Sequence, residues 1–493
     1  MPDWLPSLPV LLSSAVVVVD LVLRIAAIGI IPGNRKPSVG MAWLLMILFV
    51  PLLGLLAFAF FGRARLGERR HAKQALATER IRERTAGLAP WAEPSPELAP
   101  LRSATVLNRN LGALPVQPGN TVELFPDYAG SIAAMTAAVR DAEHFVHVEF
   151  YITAWDEVTD PFFESLLDAD RRGVRVRLLL DHLGSRGIPG YADLVKRLDV
   201  SGLDWRPMLP VRPLRGEFRR PDLRNHRKIL VVDGRVAFTG SQNLVEPGYN
   251  KPKNHQRGRQ WVELTCRLEG PVVTALNALF ATDWFAETDE VLEPPEVAPE
   301  VPGPDLAGGG GVTCQVVPSG PGFPSENNLR LFNTLIYSAQ HRLSLTSPYF
   351  VPDESLLYAV TTAAHRGVAV ELFVSEEADQ FMVHHAQQSY YQELLEAGVR
   401  IFLYPKPWVL HSKHFSVDDH VAVIGSSNMD MRSFALNYEV SVMFLDDGVV
   451  RDLRRVEDGY RSLSRELTLA EWNARSRRSR YADNAMRLTA ALQ

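Results

Sequence analysis

Two stretches of this chain carry the same chemically useful groups at the same spacing. The first reads His226, Lys228 and Asp233, then Gly240, Ser241 and Asn243; the second reads His411, Lys413 and Asp418, then Gly425, Ser426 and Asn428. Each asparagine follows its histidine by 17 residues. A pattern of three fixed residues recurs by chance at roughly 1 in 8,000 positions, but two copies with matching extensions do not. Each copy offers an imidazole, an ammonium, a hydroxyl and an amide at a glycine turn, a set suited to a phosphate ester.

The chemistry follows from the charge on a phosphodiester, which repels attack and must be neutralised. Lys228, Lys413, Asn243 and Asn428 are the expected donors to its non-bridging oxygens, acting most strongly on the transition state. One imidazole must be neutral to attack phosphorus and the other protonated to release the alcohol. A reference pKa of about 6.5 puts both states within reach near neutrality. A covalent phosphohistidine then splits one displacement into two. Asp233 and Asp418 complete the candidate catalytic set by motif, and are assigned to structure, holding strand ends or the lysines.

These groups need a frame. KILVVD and KHFSVD read as strands, so each histidine and lysine, two apart, project to one face. A glycine turn then brings Ser241 and Asn243, or Ser426 and Asn428, back toward them. Beyond each turn an acid sits in an apolar strand: Glu263 in WVELTCRL and Glu439 in NYEVSVMF. A carboxylate there is costly unless partnered. The expected partner is the imidazole N–H of the same half, whose tautomer the carboxylate would fix. No metal or other cofactor is expected, because the lysine beside each histidine repels a cation and no HExxH or clustered-Asp pattern occurs. Serine hydrolysis has no GxSxG elbow to support it.

Short apolar runs such as HFVHVEFYI and VRVRLLLD alternate with helical stretches such as DPFFESLLDADRRG, which argues βαβ units and a largely parallel sheet. The order then repeats. DADRRGVRVRLLLD (168–181) and AAHRGVAVELFVS (363–375) both end a helix in Arg-Gly and turn into a buried strand, with glycine as the left-handed cap. At 493 residues the chain holds two ordinary domains. The expected division is a membrane anchor over 1–62, a charged helical connector over 63–103, a first α/β half over 104–287, a Pro/Gly-rich linker over 288–311, a second half over 312–480 and a tail over 481–493.

The anchor rests on residues 41–61, 21 positions without a charge, enough for a hydrocarbon core of about 30 Å. Pro51 and Gly54 would kink it. The run from Leu8 to Ile31 carries Asp20 and Arg24, four apart and able to pair. A transmembrane hairpin is expected, with a first helix lying in the interface as the alternative. A cleaved signal peptide is not expected, since no basic residue precedes Leu8 and a second apolar span follows directly. Arg63, Arg65, Arg69, Arg70 and Lys73 after the second span, against Arg35 and Lys36 in the turn, place the remainder in the cytoplasm. A net charge of −5 gives no global basic field, so nucleic acid is not an expected partner. Two cysteines, Cys266 and Cys314, are too few for a disulfide framework or a thiolate metal site.

The paired HxKxxxxD and GSxxN motifs resemble the phospholipase D superfamily across nearly all of 104–480. HVEFYI, SPYFVPD, YYQELLEAGVRIF and HSKHFSVDD, with two N-terminal spans, an RKP turn and Ala42-Trp43, are similar to bacterial cardiolipin synthases. The resemblance implies two duplicated α/β halves around a pseudo-twofold axis, both motifs meeting at one active site. It implies His226 as nucleophile and His411 as acid/base. It further implies a multi-pass enzyme of a bacterial-type inner membrane, taking anionic phospholipids and making cardiolipin and glycerol from two phosphatidylglycerol molecules. A phospholipase D-type hydrolase releasing phosphatidic acid, or a nuclease, is the alternative. Oligomeric state is not legible. The chain departs from a strict repeat in one place: Glu439 lies 28 residues after His411, but Glu263 lies 37 after His226, so EPGYNKPKNHQRGRQ reads as an inserted loop.

Three further segments have two readings each. The basic cluster Arg212, Arg215, Arg219, Arg220 and Arg224 suits anionic headgroups or an ordinary solvated loop. PWVL (407–410) suits an acyl-chain entrance or a buried strand. The C-terminal EWNARSRRSRYADNAMRLTAALQ is a basic amphipathic helix that either packs on the second half or touches the membrane.

Overall fold

In the computed structural model, the short buried apolar runs pair into a single 15-stranded sheet. The structure describes residues 8–33, 37–62, 68–85, 99–212, 217–218, 220–292, 311–323, 325–377 and 379–488. From the middle of the sheet outward, the first half contributes Gln117–Phe125, Thr265–Glu269, Val236–Gly240, Lys228–Val232, Phe145–Phe150, Arg175–Asp181 and Asp204–Met208. In the opposite direction, the second half contributes Val312–Ser319, Glu439–Leu445, Val421–Gly425, His414–Val417, Arg342–Thr346, Ala369–Ser375 and Arg400–Tyr404. Arg465–Leu467 adds an edge strand beyond these. The two series match strand for strand, and they join where Gln117–Phe125 runs antiparallel to Val312–Ser319. The sheet is mixed, parallel only among the outer strands of each half.

Helices cover the sheet, which is why strands such as Glu439–Leu445 are buried along their whole length. One apolar core belongs to both halves. Ile229, Val231, Cys266 and Leu268 pack there with Cys314, Val316, Ile424, Val442 and Phe444, under helices Val272–Thr288 and Asp447–Leu463. The repeated Arg-Gly turns behave alike, with Gly173 and Gly367 both at φ 89°.

The chain divides into two compact units, Met1–Arg65 and Leu66–Gln493. The first contains helices Leu8–Ile30, Pro37–Phe49 and Pro51–Phe61. The single 41–61 span expected from hydropathy is split at Val50, whose φ of −134° leaves the helical region ahead of Pro51. Proline cannot donate the next helical hydrogen bond and disfavours helical geometry in the residue before it. Among the described residues no helix is long and apolar enough to cross a membrane. Asp20 and Arg24 do pair, at 2.7 Å, and Arg24 also donates to the Leu48 carbonyl at 2.7 Å. Arg35, Lys36, Arg63 and Arg65 lie outside the described residues, as does most of the 288–311 linker.

Asp233 and Asp418 sit at strand ends, both in the left-handed region, at φ 52° and 46°. Asp233 accepts from the backbone N–H of Glu143, His144 and Phe145, each at 2.8 Å. Asp418 does the same for Gln340, His341 and Arg342 at 2.7–2.9 Å. Each carboxylate therefore starts the neighbouring strand of its half. Replacing Asp418 by alanine leaves those donors unpaired and should lower unfolding free energy by about 2–4 kcal/mol in urea denaturation.

Candidate active site

The segment entering each histidine pairs with the opposite half. His226 N–H donates to the Tyr438 carbonyl at 2.8 Å, and Tyr438 N–H to the Arg224 carbonyl at 2.9 Å. In the same way His411 N–H donates to the Val262 carbonyl at 2.8 Å, and Val409–Leu410 runs parallel to Trp261–Val262. Tyr438 immediately precedes Glu439, and Val262 immediately precedes Glu263. Each exchange thus carries one half's carboxylate to the other half's imidazole. Glu439 Oε2 lies 3.1 Å from His226 Nδ1, and Glu263 Oε1 lies 2.6 Å from His411 Nδ1.

The expected same-half pairing is therefore corrected. Within a half, one strand intervenes between the strand following the histidine and the strand that Glu439 opens or that Glu263 precedes. Two strand spacings are about 10 Å, too far for a hydrogen bond. Only the other half's histidine enters beside the acid.

The glycines and serines of the motifs serve that approach. A Cβ on Gly240 would overlap the Leu264 carbonyl, and one on Gly425 the Val440 carbonyl, so only glycine lets the acid-bearing strand come so near. Ser241 Oγ accepts from Leu264 N–H and Ser426 Oγ from Val440 N–H, each at 3.0 Å. Ser426 also donates to Glu439. Both serines, expected as phosphate-binding or supporting residues, hold the acid-bearing segments.

Lys228 and Lys413 are buried, and each ammonium donates to the carbonyl of its own histidine. Lys413 Nζ also reaches His411 Nδ1 at 3.0 Å. Asn243 accepts from Ile152 N–H at 3.2 Å and donates to the Tyr249 hydroxyl at 2.9 Å. Asn428 bonds Asp430 through its side chain, and among the described residues its Oδ1 has no partner. The side chains of His226 and His411 are 10% and 8% exposed, so the site opens only narrowly to solvent.

The two halves differ electrostatically. Burial lowers the His226 imidazole, with Glu439 opposing. Burial would raise the Glu439 carboxyl, but His226, Lys228 and Ser426 more than reverse this and hold it below the ordinary range. Glu263 goes the other way: burial pushes it up to about 7 against Lys413 and Ser241. Burial and both lysines drive His411 well below its ordinary value. Burial brings Lys228 down to about 7 and Lys413 to about 8.

Three tyrosines join the site that motif reading passed over. The Tyr151 ring lies 4.7 Å from that of His226, and Tyr349 lies 6.3 Å from His411. Their signal was in the repeat, since both follow corresponding strands, in HVEFYI and SPYFVP. Tyr249 had no such signal, because its loop has no counterpart. Other segments resolve as structure. Arg224 is buried against Asp181 at 3.2 Å, and Arg220 pairs with Asp222, so neither is presented to a lipid headgroup; Arg215 and Arg219 lie outside the described residues. Val409 and Leu410 form a buried strand. Helix Arg477–Arg487 packs on Phe381–Gln388, with Asp483 bonded to His385 at 2.7 Å.

A duplicated α/β fold with paired histidines and lysines at the joint defines a phosphodiester-handling site of the phospholipase D type. A family profile described as "Cardiolipin synthase, PLD-like domain" matches residues 135–284 and 332–457, and one described as "Phospholipase_D-nuclease N-terminal" matches 17–63. The chain is 36% identical over 457 residues to Cardiolipin synthase A of Yersinia pseudotuberculosis serotype O:1b, covering 90% of each chain. It is 36% identical over 454 residues to Cardiolipin synthase A of Serratia proteamaculans, again with 90% of each chain covered. In fold it is similar to phosphatidylserine synthase of Haemophilus influenzae, with a TM-score of 0.58 at 15% identity over 79% of this chain and 99% of that one. The chain belongs to the phospholipase D-like cardiolipin synthase family.

Glu439→Gln, which removes the anionic partner of His226, and Glu263→Gln, which removes the acid beside His411, should each slow formation of the covalent histidine adduct by about 10–100-fold, read by rapid-quench trapping of labelled enzyme. The pH profile of kcat/KM should rise as His226, below its ordinary 6.5, loses its proton, and fall as Lys228 and Lys413 discharge near about 7 and about 8. Lys413→Arg, which stays charged, should remove only the later alkaline step, near about 8, and leave the one near about 7 in place.

Proposed function

We propose that the protein is a membrane-bound phosphatidyl transferase that makes cardiolipin and glycerol from two phosphatidylglycerol molecules. The observation that carries this reading is the pair of crossed imidazole–carboxylate contacts, both on Nδ1. They leave both Nε2 atoms for one phosphodiester, with Lys228 and Lys413 to offset its charge.

The electrostatic difference between the pairs supports distinct roles. An ionised Glu439 takes the Nδ1–H of His226, leaving the Nε2 lone pair for phosphorus. Glu263 keeps its proton up to about 7 and faces His411 Nδ1, where the Lys413 ammonium also donates. An Nδ1 that accepts places the ring proton on Nε2, where a leaving group needs it. His226 Nε2 then forms a bond to phosphorus as the P–O bond to the glycerol headgroup breaks; that oxygen takes the proton of His411 Nε2 while the Glu263 proton passes to His411 Nδ1, so the ring stays neutral. The headgroup hydroxyl of the second phosphatidylglycerol returns a proton to His411 Nε2, the Nδ1 proton goes back to Glu263, and the hydroxyl oxygen displaces His226 from phosphorus.

The N-terminal unit supports a lipid setting. Val17 is 66% exposed, Phe49 81% and Leu52 75%, an apolar surface that water disfavours and a bilayer accepts. The Asp20–Arg24 pair neutralises the charges within it. We place the catalytic unit on the cytoplasmic side, following the basic residues from Arg63 to Lys73.

Purified full-length protein given phosphatidylglycerol in mixed micelles should release glycerol and form cardiolipin, and His226→Ala should lower this about a thousandfold or more. Phosphatidic acid without cardiolipin would overturn the reading.

A further inference from the structure

The loop between Asn243 and Glu263 is the largest departure of the site from its own symmetry. Glu263 follows Asn243 by 20 residues, whereas Glu439 follows Asn428 by 11. The added length brings Tyr249 into the site. Its side chain is buried, its ring packs on Trp261 at 4.6 Å between centroids, and its hydroxyl accepts from Asn243 Nδ2 at 2.9 Å. Trp261 belongs to the short strand that pairs with Val409–Leu410, the segment entering His411. The loop also crosses to the second half through Arg259, which donates to Glu377.

The conformation is held at a cost. Tyr249 and the next residue, Asn250, are both left-handed, at φ 62° and 54°. That region disfavours a side chain such as tyrosine by roughly 1–2 kcal/mol, and such strain gathers where function over-determines geometry. Glu246 fixes the turn by accepting from the N–H groups of Gly248 and Asn250 and by meeting His255 Nε2 at 2.8 Å. Structure alone does not require a phenol there, since the second half manages its asparagine with Asp430 on a shorter connection. An oxygen that accepts from Asn243 still has its own proton to donate. Tyr249 therefore presents a hydroxyl beside the motif asparagine of one half only.

Resting on the transferase reading above, we propose that Tyr249 selects the second alcohol. Its hydroxyl donates to the hydroxyl next to the attacking one on a polyol acceptor, so a vicinal diol such as a glycerol headgroup is held for attack and water or a simple alcohol is not. The step itself is unchanged. The attacking oxygen bonds to phosphorus, the bond from phosphorus to His226 Nε2 breaks, and the acceptor proton passes to His411 Nε2. Tyr249 is a specificity-determining residue that keeps its proton throughout.

The test is product partition. Full-length protein in phosphatidylglycerol micelles containing added 1-propanol forms cardiolipin, phosphatidylpropanol and phosphatidic acid from one common intermediate, so their ratio does not depend on how much enzyme is folded. Tyr249→Phe should shift the ratio about tenfold away from cardiolipin. An unaltered ratio overturns the role of Tyr249. A wild-type enzyme that forms no cardiolipin overturns the transferase reading instead. A second measurement needs no variant: wild type offered 1,2-propanediol and 1-propanol together should transfer to the diol about tenfold more readily. Equal transfer to both overturns the proposal.

Discussion

The active site depends on an exchange of backbone hydrogen bonds between the two halves. Each histidine is entered through a segment bonded to the other half's acid-bearing segment, at His226 to Tyr438 and at His411 to Val262. A carboxylate must follow within one residue of that contact, so the side-chain pairing is set by the main chain. Neither half alone pairs its motif histidine with a carboxylate. The shared core makes the exchange durable: apolar side chains of both halves fill one volume across the central strands. Separating the halves would expose that core and both acids together.

A duplicated fold places equivalent groups about a common centre, yet two-step phosphoryl transfer needs unequal ones. The inequality comes from small differences around a conserved frame. Glu439 meets His226, Lys228 and the Ser426 hydroxyl and stays ionised, whereas burial dominates at Glu263 and holds a proton on it. Asn243 is tied to a phenol and Asn428 to a carboxylate. Geometry is thus shared between the halves, while protonation and hydrogen-bond polarity are not.

The helix Glu68–Thr85, at the start of the second unit, is built into this framework. Arg70 is buried, pairs with Glu287 and donates to the Tyr438 hydroxyl at 3.2 Å. Tyr438 is the residue whose backbone receives His226. An arginine on the connector therefore braces the strand that positions Glu439, and burying its charge is sustained by the carboxylate beside it. The charged composition of 63–103 indicated a helical connector and no more, because a sequence window cannot show which of its arginines finds a buried partner.

Much of the chemistry was legible in the chain itself. The matching offsets of His226, Lys228 and Asn243 with His411, Lys413 and Asn428 identify a duplicated phosphate site, because repetition at fixed spacing has no other simple cause. Short apolar strand runs and Arg-Gly caps identify the α/β frame, because backbone geometry is local. The Asp20–Arg24 pair follows from helical spacing alone. The tertiary structure decided which acid serves which histidine, since strand order rather than sequence distance sets the separation of Glu263 from His226. It also set the serines against the acids, drew Arg224 into an ion pair with Asp181 and brought Tyr249 onto Asn243. Each of these depends on which segments meet across the fold, and a contact between distant segments leaves no spacing in the sequence to read.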